Sequence, residues 1–176
     1  MEIIEIKPQG YCGGVRQAIA KVLKLKDEHP DEKITILGTL VHNDYVRQAL
    51  DALNIETLEA NGKTRMELLD EIDDGIVVFT AHGVSDPLRA KAESKGLQIL
   101  DASCPFVLQT QKLVKEQVHQ NASVFYIGKK GHPEAEAVTT SHDNVWLISS
   151  EEDIPEGVKG PVFVTNQTTM SILDIQ

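Results

Sequence analysis

Short apolar runs alternate with amphipathic stretches along most of this chain. Continuous apolar runs at 34–37 and 75–79 are typical of strands that are buried on both faces of a parallel sheet. After Cys12, apolar residues recur at i, i+4, i+7 and i+8 from Val15, with lysines between them, which predicts an amphipathic helix. Strands that alternate with helices in this way predict βαβ units. The expected fold class is therefore α/β, built from small parallel-sheet layers around a central cleft.

The same pattern gives the order of the elements. It predicts strands at 3–6, 34–37, 75–79, 98–102, 123–127, 145–148 and 162–164, with helices beginning near residues 13, 43, 86, 105 and 133. The second helix should place Val46, Leu50 and Leu53 on its inner face, and the acidic stretch 149–160 reads as a loop. A division after Cys104 separates two α/β halves, so we expect a segment 1–13, a first domain 14–104 and a second domain 105–176.

Composition narrows the possible functions. The 176 residues carry a formal net charge of −10, which argues against broad binding to nucleic acid or to an anionic membrane. No apolar run approaches the roughly 20 residues that span a bilayer. Two distant cysteines do not make a disulfide framework, and Met1–Ile4 show no basic leader, so the cytoplasm is the expected compartment.

The residues that can carry chemistry share one position in the pattern. Each follows a predicted strand and precedes a helix; they are Cys12, His42, His82, Cys104, His132 with Glu134, and Thr168. Ligands of open parallel sheets bind outside the carboxyl ends of the strands, so these side chains should converge on one edge of each half. Taken singly, each histidine is more often a loop or capping residue, and His29, His119 and His142 are expected to be solvated. The shared placement is what favours a functional site.

Both cysteines lie at strand-to-helix turns. A helix N-terminus favours an anion, and the thiolate is the form of cysteine that binds metals or attacks as a nucleophile. Cys12 stands in the glycine-rich turn Gly10–Gly14, and Cys104 precedes Pro105, as the iron–sulfur ligands of some proteins precede a proline. An inert cysteine in a tight turn is the alternative for Cys12.

Six sequence blocks occur together in a characteristic order. They are Pro8-Gln9-Gly10-Tyr11-Cys12-Gly13-Gly14-Val15, Val41-His42-Asn43, Ala81-His82-Gly83-Val84-Ser85, Asp101-Ala102-Ser103-Cys104-Pro105, Gly131-His132-Pro133-Glu134-Ala135-Glu136 and Gln167-Thr168-Thr169. In this combination they resemble the LytB family of 4-hydroxy-3-methylbut-2-enyl diphosphate reductases, which serve the non-mevalonate isoprenoid pathway. The resemblance covers essentially the whole chain and corresponds to the first two-thirds of the family.

The resemblance implies an iron–sulfur oxidoreductase. Family members use a [4Fe-4S] cluster, and electrons from a donor such as flavodoxin or ferredoxin, to remove the allylic hydroxyl as water. The products are isopentenyl diphosphate and dimethylallyl diphosphate. Carried over by motif, Cys12 and Cys104 are cluster ligands and His42, His82 and His132 bind the diphosphate. Glu134 supplies protons, and Thr168 orders the substrate hydroxyl.

The resemblance also leaves an open point, because the family uses a third cluster cysteine and three domains, whereas this chain has two cysteines and two predicted domains. Segment 1–13 would pair with the third domain. The sequence therefore reads as an N-terminal fragment or an interrupted gene product, which we expect to be inactive alone. Two alternatives stay open: a mononuclear zinc hydrolase that uses the three histidines and a cysteine, and a non-catalytic remnant.

Overall fold

The computed structural model of the chain describes Ile4 and residues 10–175. Apart from Ile4, the strand predicted at 3–6 lies outside the described residues, so this prediction is not examined by the structure. The remaining elements form two parallel sheets with helices packed against them, and the predicted α/β class is confirmed.

The first sheet contains four parallel strands in the order β2-β1-β3-β4. They are β1 (Ile34–Leu37), β2 (Ile55–Leu58), β3 (Ile76–Phe79) and β4 (Gln98–Asp101). The central strands β1 and β3 are buried at every position, as their continuous apolar runs predict. β2 was missed in the sequence, since its residues Ile-Glu-Thr-Leu are half polar and it lies at the sheet edge.

The second sheet contains three parallel strands in the order β6-β5-β7. They are β5 (Ser123–Ile127), β6 (Val145–Ile148) and β7 (Val162–Asn166). In each sheet, the strand that comes second in the sequence pairs with one side of the first strand, and the strand that comes third pairs with the other side of that first strand. The two halves thus repeat one architecture, although the domain boundary predicted after Cys104 stays a prediction.

Six α-helices accompany the described strands. They are α1 (Gly13–Glu28), α2 (Asp44–Asp51), α3 (Arg65–Asp70), α4 (Asp86–Ser94), α5 (Pro105–His119) and α6 (Pro133–Thr139), with 3-10 turns at Glu151–Asp153 and Ile172–Asp174. The six-residue α3 was also missed, because it is too short to show a helical period. None of the described helices combines the length and apolar character of a membrane span.

The hydrophobic cores follow the alternation of side chains along the strands. Ile34 and Ile36 face α1, where Ala18 and Val22 are fully buried, whereas Leu37 faces the opposite core with α3 and α4. The second sheet packs against α5 and α6. One predicted core residue was wrong: Leu53 follows the end of α2 and is 40% exposed.

Polar contacts join the two α/β halves of the chain. Asp86 at the start of α4 accepts a hydrogen bond from Lys115 Nζ of α5 at 2.7 Å, and its backbone N–H donates to Ser141 Oγ at 3.2 Å. Gln111 Nε2 of α5 donates to Val84 O at 3.2 Å. His142 lies beside this contact and is not simply solvated as predicted, because its Nε2 atom is buried.

Candidate active site

A cavity of about 740 Å³ lies where the carboxyl ends of both sheets meet the N-termini of α1 and α5. The sequence-predicted residues among those that line it are Cys12, His42, His82, Cys104, Glu134 and Thr168. Phe106, Thr110 and Leu113 of α5 add a mostly apolar wall that the sequence analysis did not anticipate. The strand-end placement therefore brings these chemically active side chains together, as expected for parallel sheets.

Three histidines from three separate loops form one cluster. The ring centroids of His42 and His82 are 4.9 Å apart, those of His82 and His132 are 5.5 Å apart, and those of His42 and His132 are 6.3 Å apart. One ring nitrogen of each lies within 4.8 Å of the others. All three imidazoles can therefore contact a single small ligand or ligand group.

Burial keeps two members of this cluster, His82 and His132, uncharged. Burial, with the neighbouring His42, His132 and Arg65, lowers the pKa of His82 from 6.5 to about 4. The pKa of His132 is lowered as well, first by burial and then by His42, Arg65 and Lys129. Near neutral pH, His82 and His132 are therefore neutral imidazoles, each of which offers one N–H donor and one lone pair.

The hydrogen bond at the start of α6 fixes which nitrogen of His132 carries the proton. His132 is the N-cap residue, and its Nδ1 accepts a hydrogen bond from the Glu134 backbone N–H at 3.2 Å. The Nδ1 lone pair is thus used, and in the neutral ring Nε2 carries the hydrogen. A zinc ion needs a free lone pair, whereas a phosphate oxygen accepts from an N–H. This arrangement favours an anion over the zinc centre that the sequence left open.

Glu134 is a buried carboxylate with a full set of donors. Its side chain is 1% exposed. Oε1 accepts hydrogen bonds from Tyr126 OH at 3.0 Å and the Thr168 backbone N–H at 2.7 Å. Oε2 accepts from Thr168 Oγ1 at 2.9 Å. The first turn of α6, which carries Glu134, and the loop after β7, which carries Thr168, are therefore held together at the cavity wall.

The supporting roles of two residues, Tyr126 and Gln167, were not predicted from the sequence, although Gln167 belongs to one of its blocks. Tyr126 is fully buried, and burial together with Glu134 raises the pKa of its phenol, so it remains a hydrogen-bond donor. The alternation along β5 could have indicated an inward tyrosine, which needs a polar partner. Gln167, 2% exposed, accepts from the Lys129 N–H at 3.1 Å and donates to Thr169 Oγ1 at 2.6 Å, which joins the β5 and β7 loops.

The two cysteines fit an iron–sulfur group by their chemistry and placement. Both are free thiols at the N-cap positions of α1 and α5, and neither uses its sulfur to cap its own helix within the described residues. Cys104 packs against the first turn of the helix that Cys12 precedes: a Cβ added at Gly14 would lie 2.6 Å from Cys104 Sγ. Two thiols that line one cavity, each beside a helix N-terminus, match the thiolate ligands of such clusters.

Comparisons with known proteins identify one family along nearly the whole chain. The profile of the family described as LytB protein matches residues 3–176. A 4-hydroxy-3-methylbut-2-enyl diphosphate reductase of Symbiobacterium thermophilum is 44% identical over 181 residues, 100% of this chain and 61% of the relative. The reductase of that name from Listeria monocytogenes is 47% identical over 180 residues, 99% of this chain and 54% of the relative.

Solved structures match in the same way. The E-1-hydroxy-2-methyl-but-2-enyl-4-diphosphate reductase of Plasmodium falciparum superposes with a TM-score of 0.82 at 27% identity, over 96% of this chain and 52% of that one. A second reductase structure, at 24% identity and a TM-score of 0.79, supports the fold alone. The chain spans 54% to 61% of the length of these two bacterial relatives. Since the profile matches nearly every residue, the chain belongs to the LytB family.

Proposed function

We propose that this chain supplies the diphosphate site and the proton-transfer residues of a 4-hydroxy-3-methylbut-2-enyl diphosphate reductase. The reaction adds two electrons and two protons to the substrate, breaks its allylic C–O bond, and releases water with isopentenyl or dimethylallyl diphosphate. The observation that carries the proposal is a cavity lined by His42, His82, both free thiols, and the hydrogen-bonded pair of buried Glu134 and exposed Thr168. His132 does not line this cavity but clusters with the other two histidines at its side.

The histidines are proposed to bind the diphosphate. Neutral His132 presents Nε2–H, because its Nδ1 is occupied by the Glu134 N–H. His82, with its pKa lowered to about 4, is likewise neutral near pH 7 and can donate one N–H. His42 is the exposed member of the cluster, so it lies where a ligand enters from solvent.

Glu134 and Thr168 are proposed to handle the protons. The Thr168 hydroxyl donates its hydrogen to Glu134 Oε2. This hydrogen bond does not use the lone pairs of the hydroxyl oxygen, which can accept a hydrogen bond from another group. A substrate hydroxyl that donates to Thr168 would therefore be connected to Glu134 through one side chain. Tyr126 and the Thr168 N–H hold the other carboxylate oxygen, so the carboxyl group keeps its orientation when a proton leaves it.

Cys12 and Cys104 are proposed to be the ligands that this chain would provide to a [4Fe-4S] cluster at the N-termini of α1 and α5. When bound, such a cluster supplies the electrons and an iron site for the substrate oxygen, and a small electron-transfer protein such as flavodoxin or ferredoxin reduces it. The apolar wall from α5 limits water around the reacting carbon atoms. Two free thiols suit a reducing compartment, and we propose the cytoplasm.

A chimera tests this function in a complete enzyme. This chain replaces the matching part of the Listeria monocytogenes relative, and turnover is measured anaerobically with a chemical reductant. We expect both five-carbon diphosphates as products. Glu134→Gln should lower kcat by at least about 100-fold, since an amide cannot deliver a proton, with substrate affinity little changed. His119→Asn, an exposed histidine at the end of α5, is the matched control and should leave turnover unchanged.

Two results would count against the proposal. A folded, iron-loaded chimera that binds the substrate without turnover would support the interpretation of the chain as a non-catalytic remnant. Normal turnover by Glu134→Gln would remove Glu134 from the proton transfer.

A further inference from the structure

We propose that Arg65 is a positioning residue of the diphosphate site, whose guanidinium ties the loop that carries His82 to the helix start that carries His132. This inference rests on the proposed function. Arg65 is the first residue of α3, a helix that none of the sequence motifs includes.

The guanidinium contacts the residue that follows each histidine. Its Nη1 atom donates to the carbonyl oxygen of Gly83 at 2.6 Å, and its Nη2 atom donates to that of Pro133 at 2.8 Å. Gly83 comes directly after His82, and Pro133 directly after His132. The planar guanidinium is rigid, so these two bonds fix the separation of two loops that belong to different sheets.

The position of Arg65 is itself well held. Its side chain is only 5% exposed, and Nε lies 3.6 Å from Glu136 Oε2 of α6. The helix α3, of which Arg65 is the first residue, begins with a capping box. In it Thr64 Oγ1 accepts a hydrogen bond from the Glu67 N–H, and Glu67 Oε2 accepts one from the Thr64 N–H. Because Arg65 is buried and its guanidinium is hydrogen-bonded to two backbone carbonyls, it acts as a structural link between two segments and not as a surface charge.

The positive charge of Arg65 also acts on the site. It is one of the causes that lower the pKa of His82, together with burial, His42 and His132, and of His132, together with burial, His42 and Lys129. His82 and His132 therefore stay neutral hydrogen-bond donors, while the charged guanidinium of Arg65 lies next to the residue that follows each of them. A diphosphate anion would be favoured by that cation even though the chain as a whole is acidic.

The carbonyl contacts and the charge can be separated by two variants. Arg65→Met removes both, whereas Arg65→Lys keeps the charge but can bond only one of the two carbonyls well. Lys91→Met is the matched control: Lys91 Nζ also donates to a backbone carbonyl of α3, that of Met66 at 2.9 Å, but lies in α4 and touches neither histidine loop. Thermal unfolding of each variant confirms that it is folded.

The first measurement is the binding of inorganic diphosphate to the 176-residue chain by calorimetry. We expect Arg65→Met to weaken binding at least tenfold, Arg65→Lys to weaken it several-fold, and Lys91→Met to leave it unchanged. The second is the titration of the histidine rings by NMR without ligand. The pKa of His82 and of His132 should rise in Arg65→Met and stay close to the parent values in Arg65→Lys.

The outcomes separate the two proposals. If the parent chain binds diphosphate and both Arg65 variants bind it equally well, the role of Arg65 is refuted and the diphosphate site stands. If the parent chain does not bind diphosphate, the diphosphate site is refuted. The ring titrations then decide on Arg65, since unchanged values in Arg65→Met overturn its placement. Should Arg65→Met fail to fold, the affinity of Arg65→Lys carries the test, and parent-like affinity overturns the proposal.

Discussion

Two adjacent glycines at the start of α1 offer a direct test of how closely Cys104 packs against that helix. Gly13 and Gly14 are the first two residues of that helix. A Cβ added at Gly13 meets nothing within 4 Å, whereas a Cβ at Gly14 lies 2.6 Å from Cys104 Sγ and 3.2 Å from Cys104 Cβ. Gly13→Ala and Gly14→Ala therefore differ by one contact, that with Cys104.

The expected difference follows from this contact. Replacing a helical glycine by alanine stabilises by roughly 0.5–1 kcal/mol at either position, so this gain cancels in the comparison. At Gly14 the Cys104 sulfur must rotate away, and the 3.2 Å contact with its Cβ additionally requires α5 to shift. Such overpacking costs about 1–3 kcal/mol. The free energy of unfolding of Gly14→Ala should therefore be lower than that of Gly13→Ala by about this amount, and its urea midpoint should be lower as well.

The assay is urea unfolding followed by circular dichroism, which gives the difference in the free energy of unfolding between the two variants. Equal stability of Gly13→Ala and Gly14→Ala would refute the close packing of Cys104 on α1.

Further predictions concern the buried network, the histidines and the cluster. Tyr126→Phe removes the hydrogen bond to Glu134 and should cost about 1.5–3 kcal/mol, or roughly 4–8 °C in Tm, whereas Tyr45→Phe, 81% exposed, should cost nothing measurable. The lowered pKa of His82, about 4 against an ordinary 6.5, means that the unfolded chain takes up a proton before the folded one. The free energy of unfolding should therefore fall by at most about 3 kcal/mol as the pH drops from 6.5 to 4. Urea unfolding at several pH values should show a weaker pH dependence for His82→Asn than for the control His119→Asn. With two cysteines in place of three, the chain reconstituted anaerobically should lose its iron and sulfide on gel filtration; full, stable occupancy would contradict the ligand set.

Local patterns in the sequence determined the fold class and most of the elements. Strand and helix periods depend on residues a few positions apart, so β1 and β3 could be predicted at nearly their observed bounds, and α1 and α5 at their observed first residues. The strand-end position of the histidines and cysteines then placed them at one edge of each sheet, because all the strands run parallel. Elements with weak local signals, namely β2 and α3, were missed.

Only the tertiary structure decided what supports and orients these residues. The Arg65 bonds span 18 and 68 residues of sequence, and the Thr168–Glu134 bonds span 34. No local period encodes such distances, because they follow from how two sheets and α5 pack together. The proton position on His132 likewise depends on a cap geometry that its position in the sequence does not reveal. The sequence thus determined which groups are present and on which edge they lie, while long-range packing determined their separation, their protonation and their partners.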